Sequence, residues 1–151
     1  MLGMTKTQAI TVGIIAALVV IADIFGILYL QNRTRDITVL SEISQIRSAL
    51  EVYRVRNSFY PRTTAAVTLG DAYAGTQQLC NDGFHRLGDA CTAVILARVP
   101  DAYGVGYQYR SLQDGADYQI QFTLSTTLRM FGFNAGTSCA TSAGLTNQSC
   151  F

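Results

Sequence analysis

The residues of this chain that could do chemistry are four cysteines and one histidine. None of the cysteines forms a CxxC pair; they are Cys80, Cys91, Cys139 and Cys150. Zinc sites need clustered thiolate or imidazole ligands, so this spacing does not favour a metal centre. The histidine, His85, has no nucleophile or ligand set near it in the sequence, and we interpret it as a surface or packing residue.

The cysteines predict disulfides and a location outside the cytoplasm, because their number is even and the chain is small with an apolar N-terminal run. Four cysteines allow three pairings. The sequence favours the two local ones, Cys80–Cys91 and Cys139–Cys150, because each closes a short loop rich in Gly, Asn and Ser. The alternative is four reduced, buried cysteines.

Catalytic patterns are absent from the sequence. There is no Ser-His-Asp set, no phosphate-binding glycine loop and no HExxH motif, and Cys–His chemistry would need a free cysteine beside His85. We therefore expect that the chain is not an enzyme. The net charge is +1 and the arginines are scattered without a basic stripe, so the sequence does not favour nucleic-acid binding either.

The chain begins with an apolar stretch that is long enough to cross a membrane. Residues 9–30 carry one charge, and as a helix they span roughly 33 Å, against about 30 Å for the hydrocarbon of a bilayer. A cleaved secretory signal would have a shorter apolar region and a small-x-small cleavage site. The run ends with Tyr29-Leu30-Gln31-Asn32 instead, which favours a retained anchor.

The one charge in this stretch is Asp23. A carboxylate in the middle of a membrane helix costs a few kcal/mol unless it is protonated, paired or facing protein. One interpretation is a contact with Lys6, the amino terminus or polar backbone of a neighbouring subunit. The other is a protonated or snorkelling side chain in an isolated anchor.

A second helical pattern follows the apolar run without a break. Apolar side chains recur every three or four residues and predict one buried helix face, formed by Ile37, Leu40, Ile43, Ile46, Leu50 and Tyr53. No proline occurs between Ala9 and Tyr60, so we expect a single rod of about 49 residues. Asn57-Ser58 and Pro61 end it.

The remaining residues predict a small antiparallel sheet that covers this face. Residues 61–99 have the composition of a long connection with some helix. Alternating side chains at 105–109 and 118–124 predict a β-hairpin. A hairpin alone is marginal, so we expect a third strand at about 128–134. We expect the tail, 136–151, to be irregular and held by the second disulfide.

The predicted fold class is therefore α+β, with a long N-terminal membrane-spanning helix packed against a small antiparallel β-sheet. Residues 1–8 form a short leader or cytoplasmic segment, 9–30 the transmembrane half of the helix and 31–58 its amphipathic half. Residues 59–151 contain the connection from helix to sheet, the sheet and the C-terminal disulfide loop.

Three stretches carry a resemblance to a known family. They are Leu18-Val-Val-Ile-Ala22 with Gly26-Ile-Leu28, the pattern from Ile43 to Tyr53 followed by Asn57-Ser-Phe-Tyr-Pro61, and Val99-Pro-Asp-Ala-Tyr-Gly104 followed by the alternating strands. Their order and spacing, over most of residues 14–125, resemble the type IV pilins and the pseudopilins of type II secretion. The resemblance implies a filament subunit assembled through packing of the apolar N-terminal helices.

The resemblance also implies partners and contact residues. The partners would be copies of the chain or related pilins, an inner-membrane assembly platform, and membrane lipid before assembly. The protein would be a single-pass membrane protein with its C-terminal domain outside, and an extracellular or periplasmic filament after assembly. The expected contact residues between subunits are Asp23, Lys6, Ile14, Leu18, Ile21, Phe25 and Leu28.

Two features depart from the family or extend it. The family's leader ends in glycine and is followed by a glutamate at the fifth mature position, but here no glutamate precedes Glu42, and the candidate processing positions are Gly3 and Gly13. A monomeric, membrane-tethered binding or sensor domain is the alternative that explains this departure. The resemblance further implies a calcium site at Asp114 and Asp117, where ordinary Asp-Gly turn chemistry is the competing interpretation. No other cofactor is expected.

Overall fold

The computed structural model describes residues 6–101 and 106–151, and the side chains from Gly13 onward. Helix α1 runs from Lys6 to Asn57 and is followed by eight short strands. The strands are β1 (Val67–Thr68), β2 (Gln78–Cys80), β3 (Gly83–His85), β4 (Val94–Leu96), β5 (Gln108–Leu112), β6 (Asp117–Leu124), β7 (Gly136–Thr141) and β8 (Leu145–Thr146). The α+β fold class is confirmed.

Helix α1 has 52 residues and continues without interruption through residues 31–35, where the apolar half meets the amphipathic half. It ends where the sequence predicts. The Ser58 amide donates to the Arg54 carbonyl at 2.7 Å, and Ser58 takes a positive φ of 66°, which turns the chain out of the helix. The Asn57 side chain then joins the helix end to the head by donating to the Asn81 carbonyl at 3.0 Å.

The strands form two antiparallel sheets. The larger has five strands in the order β1-β5-β6-β7-β8, and the smaller has three in the order β3-β2-β4. The predicted hairpin is confirmed as β5–β6, where Tyr109 pairs with Ile120. The first strand lies further along the chain than predicted, and Val105 falls outside the described residues.

The core lies between the larger sheet and one face of α1. Side chains from the helix and from strands β5 and β6 are buried together: Val39, Ile43, Ile46, Leu50, Tyr53, Tyr109, Tyr118, Ile120, Phe122 and Leu124. The predicted helix face is correct from Leu40 onward, although Leu40 is only partly buried, and it is wrong at Ile37. Ile37 is 43% exposed, and Asp36 and Val39 are buried instead. The buried positions therefore alternate spacings of three and four, which keeps them on one side of a helix.

Two sequence predictions in the second half of the sheet are wrong. Residues 128–134 do not form a strand; Arg129–Phe131 form a 3-10 turn that ends at Gly132, which has a φ of 73°. This turn lets Leu128 and Phe133 meet in a β-bridge and both enter the core. The third strand of the larger sheet is β7, in the tail that was expected to be irregular, and it pairs with β6 from Gln119 to Leu124.

Residues 61–99 contain no helix in the structure, contrary to the expectation of some helix there. They form β1 and the smaller sheet. The apolar run at Val94–Leu96 becomes strand β4, which pairs with β2, and Ile95 and Leu96 are packed against the core. A run this short suits a strand as well as a helix, so the sequence pattern alone does not separate the two.

Candidate functional site

The most distinctive surface of the molecule is the N-terminal half of α1. Every described side chain from Gly13 to Arg33 is exposed. The large apolar ones, from Ile14 to Leu30, are each at least 50% exposed, and Phe25 reaches 69%. By length and composition α1 contains a segment that could cross a membrane once. A surface of this size and character is typical of contact with lipid or with another protein.

The predicted contact residues from Ile14 to Leu28 lie on two opposite sides of this helix. Because a helix turns about 100° per residue, Ile14, Leu18, Ile21, Phe25 and Leu28 share one side. Asp23 lies roughly 180° from the middle of that stripe, on the side that also carries Val19 and Leu30. Large apolar side chains between these two sides are exposed as well, so apolar surface surrounds this part of the helix, which suits an element with neighbours on more than one side.

Asp23 and Lys6 cannot pair within one chain. They lie on the same helix, and a rise of 1.5 Å per residue separates them by roughly 25 Å along its axis. A contact between these two residues would therefore have to join two subunits. The side chain of Lys6 and the whole of Gly3 fall outside the described residues, whereas Gly13 lies in α1, where there is open space for a Cβ. The contact and processing assignments stay predictions.

The site that sequence reasoning missed is a buried contact where α1 leaves its apolar half. Asp36 is only 1% exposed. Its two carboxylate oxygens accept hydrogen bonds from the Ser125 amide at 2.9 Å, the Thr126 amide at 2.6 Å and the Thr126 hydroxyl at 2.6 Å. Charge-assisted bonds of this kind are among the stronger ones in proteins. They hold the loop after β6 against the helix.

We call residues 125–135, which join β6 to β7, the junction loop. Beyond the Asp36 contact it reaches towards the apolar half of α1, where Arg33 Nη2 lies 3.9 Å from Met130 Sδ. An open groove of about 720 Å³ lies between loop and helix, and its lining includes Tyr29, Arg33, Arg129 and Met130. Met130 is 83% exposed.

At the other end of the head, a cluster of buried tyrosines joins the end of α1 to the sheet. The Tyr60 ring lies 4.7 Å from that of Tyr118, and the Tyr109 hydroxyl donates to the Pro61 carbonyl at 2.7 Å. Burial raises the pKa of Tyr118 to about 12, although the nearby Arg47 guanidinium acts in the opposite direction. Burial likewise raises the pKa of Tyr109.

The four cysteines form two disulfides, Cys80–Cys91 and Cys139–Cys150, which are the two local pairings. Cys80 also lies within reach of Asp82 and His85, the only group of three metal-ligand side chains among the described residues. Because Cys80 is in a disulfide, it cannot supply a thiolate to a metal or to Cys–His chemistry. The Nε2 atom of His85 lies 3.1 Å from Asp82 Oδ1, so the side chain of Asp82 is the partner of this histidine.

The two carboxylates of the expected calcium site have partners in the protein. Asp114 Oδ1 lies 3.3 Å from Arg62 Nε, and Asp117 Oδ1 accepts a hydrogen bond from the Tyr118 amide at 2.7 Å. Asp114 has a φ of 57° and precedes Gly115, as in a tight hairpin turn. The positive φ before a glycine fits ordinary turn chemistry, and the calcium assignment stays a prediction.

No protein-family model matches this chain, and no curated protein or solved structure is significantly similar to it. The architecture, one long apolar N-terminal helix with a small antiparallel sheet, is compatible with that of the pilins.

Proposed function

We propose that this protein is a structural subunit of a type IV pilus-like or pseudopilus filament. In this proposal the apolar half of α1 is held in the membrane before assembly and packs against copies of itself, or of related pilins, afterwards. The head stays outside. The observation that carries the proposal is the exposed apolar surface that surrounds α1 from Ile14 to Leu30, on a helix that continues unbroken into the head.

The way the head is attached supports this role. In a filament, the packing of the helices determines where the heads lie only if each helix is rigidly joined to its own head. Here α1 has no break at residues 31–35, and its buried face lies in the core. The Asp36 contact also holds the loop after β6 against the helix. A freely swinging tether would need none of these.

On assembly the apolar surface of α1 would pass from lipid to a protein core that also excludes water. Between lipid and such a core there is little hydrophobic gain, so close packing and polar contacts would decide partner choice. Asp23 is suited to this task, because a partner's Lys6 or amino terminus would relieve the cost of a carboxylate in an apolar environment. An inner-membrane assembly platform would supply the work of extraction.

One observation favours a second candidate, a monomeric membrane-tethered binding or sensor domain. No glutamate precedes Glu42, whereas a glutamate near the mature N-terminus is part of the family pattern. A tether needs only the span and the disulfide-bonded head. The two candidates differ in whether the apolar helix contacts protein or lipid.

Cross-linking through new cysteines separates these candidates. All four native cysteines are in disulfides, so each introduced thiol is free of competition. Val19 and Leu28 lie on opposite sides of α1 because nine residues at about 100° each amount to two and a half turns. The double variant Val19→Cys/Leu28→Cys can join each subunit to two neighbours, whereas either single variant can join only two subunits.

We expect the double variant in cell-surface preparations to give a ladder of covalent multimers, and each single variant to stop at dimers. Solubilising the protein in detergent before the cross-linker is added should remove the ladder. A cysteine at Tyr73, which is 93% exposed on the head, is the control for random collisions. Monomer alone for the double variant would refute the filament proposal and leave the tether.

A further inference from the structure

The junction loop carries an exposed apolar pair at an unusual place. Met130 and Phe131 are 83% and 56% exposed, while Leu128 and Phe133 on either side are 2% and 8% exposed. The 3-10 turn therefore buries the outer two apolar side chains and presents the inner two. Single exposed apolar residues are ordinary, but adjacent ones beside a larger apolar surface indicate an interaction site.

The position of this pair along α1 is set by two contacts. The Asp36 contact fixes the start of the loop, and Met130 Sδ lies 3.9 Å from Arg33 Nη2. Arg33 follows Leu30, the last residue of the apolar run, by three residues, or about 4.5 Å along the helix axis. Met130 thus lies level with the end of the apolar run, where a bilayer that contains this run would have its headgroups.

The charges at this level have the sign that phospholipid headgroups attract. Arg33 and Arg129 are exposed and line the groove together with Tyr29. The acidic side chain on the neighbouring helix turn, Asp36, is buried and accepts three hydrogen bonds from the junction loop. Arginine and tyrosine at the end of a membrane span are typical of the bilayer interface.

We infer that the junction loop is a second membrane contact, in which Met130 and Phe131 enter the bilayer interface while Arg33 and Arg129 bind the phosphate of an anionic lipid. This inference rests on the membrane-anchored state of the proposed function and not on the filament. Its consequence is that the head stands at a fixed height and orientation on the membrane before assembly, because α1 and the loop touch the bilayer at two separate points.

Tryptophan fluorescence tests the inference directly, since the chain contains no tryptophan. The full-length variant Met130→Trp is placed in nanodiscs whose lipids carry bromine either near the carbonyl groups or deep in the acyl chains. We expect emission that is blue-shifted and quenched mainly by the shallow bromines. Phe25→Trp, inside the span, should be quenched mainly by the deep bromines, and Tyr73→Trp, on the exposed head, by neither.

The lipid charge is tested in the same discs by raising the fraction of phosphatidylglycerol in phosphatidylcholine. Removing one arginine from a lipid-facing surface should raise the phosphatidylglycerol fraction needed for half-maximal quenching about fivefold. We expect this change for Arg129→Gln in the Met130→Trp background. Arg56→Gln, an exposed arginine at the far end of α1, should leave it unchanged.

The outcomes separate the inference from the function on which it rests. Quenching of Met130→Trp no greater than that of Tyr73→Trp, or a blue shift without bromine quenching, overturns the loop contact. If Phe25→Trp also escapes quenching, the membrane span itself is refuted. A charge dependence that is equal for Arg129→Gln and Arg56→Gln would overturn the phosphate contact.

Discussion

Asp36 is the residue whose role the sequence conceals. It precedes Ile37 and stands among Arg33, Arg35 and other polar residues, so it has the composition of a solvated helix face. Only its place at the start of the alternating three-and-four spacing that continues through Val39 and Ile43 marks it as buried. Its partners lie some ninety residues away, at Ser125 and Thr126, and no local pattern predicts such a contact.

Replacing Asp36 should loosen the junction loop. Asp36→Asn retains the shape, but its side-chain NH2 group replaces one acceptor with a donor, which then faces the backbone amide of either Ser125 or Thr126. We expect a loss of about 2 kcal/mol in the free energy of unfolding. Amide hydrogen exchange at Ser125 and Thr126 should accelerate more than elsewhere in the head. Thr38→Ala, which removes only a bond to the Thr34 carbonyl, is the matched control and should change little.

Unchanged exchange at both amides in Asp36→Asn would contradict the role given to this carboxylate. A uniform acceleration across the whole head would indicate general destabilisation in place of a local contact.

The buried tyrosines predict a loss of stability in alkali. A folded-state pKa of about 12 for Tyr118, against 10.0 for a free tyrosine, means that the fold favours the neutral hydroxyl. This contribution is complete below about pH 10 and is lost as the pH rises towards 12. Tyr118→Phe retains the ring and removes the ionisation, so its unfolding free energy should fall less steeply over that range.

Urea unfolding at a series of pH values, with tyrosinate absorbance as a second signal, measures this effect. The Tyr73→Phe variant changes a tyrosine that is 93% exposed and should follow the parent protein. Parallel pH curves for Tyr118→Phe and the parent would show that Tyr118 is not the residue responsible.

At the scale of elements, the sequence predicts what periodicity determines and fails where tertiary contacts decide. Helix α1 and the β5–β6 hairpin have long, regular patterns, and the sequence predicts both elements, although β5 begins further along the chain than its pattern indicates. Strand β7 has the composition of a loop, with Gly136, Ser138 and Ala140 along it. It forms a strand because β6 has an open edge and because small residues fit there, and neither fact is visible in the β7 sequence itself.

The two disulfides offer a matched comparison between elements. Both join residues that are 11 apart in sequence, so constraint of the unfolded chain predicts an equal effect of about 3 kcal/mol for each. Cys80→Ala/Cys91→Ala frees the smaller sheet, and Cys139→Ala/Cys150→Ala frees the C-terminal residues beyond β7. We expect similar losses in the unfolding free energy, measured by chemical denaturation.

A loss in one variant that is far larger than in the other would contradict a chain-entropy origin. It would assign the difference to packing, since Cys80 and Cys139 are both buried in the head.

At the scale of the whole molecule, the proposed assembly depends on a single continuous helix whose first half is exposed and whose second half is part of the core of the head. The described side chains of its first half, from Gly13 to Leu30, are exposed, and its second half, from Asp36 to Tyr53, packs against the sheet to form the core. The fold class and this division could be predicted from sequence. The attachment of the head at the point where the two halves meet could not be predicted, because it is made by Asp36 and the junction loop, which are far apart in sequence.

Electron microscopy of sheared cell-surface material from cells that express the tagged protein tests the central claim most directly. The account predicts filaments whose core density consists of packed copies of α1 and whose surface is labelled by antibodies against the head. Material that contains the protein only as dispersed single copies in membrane fragments, without filaments, would contradict it.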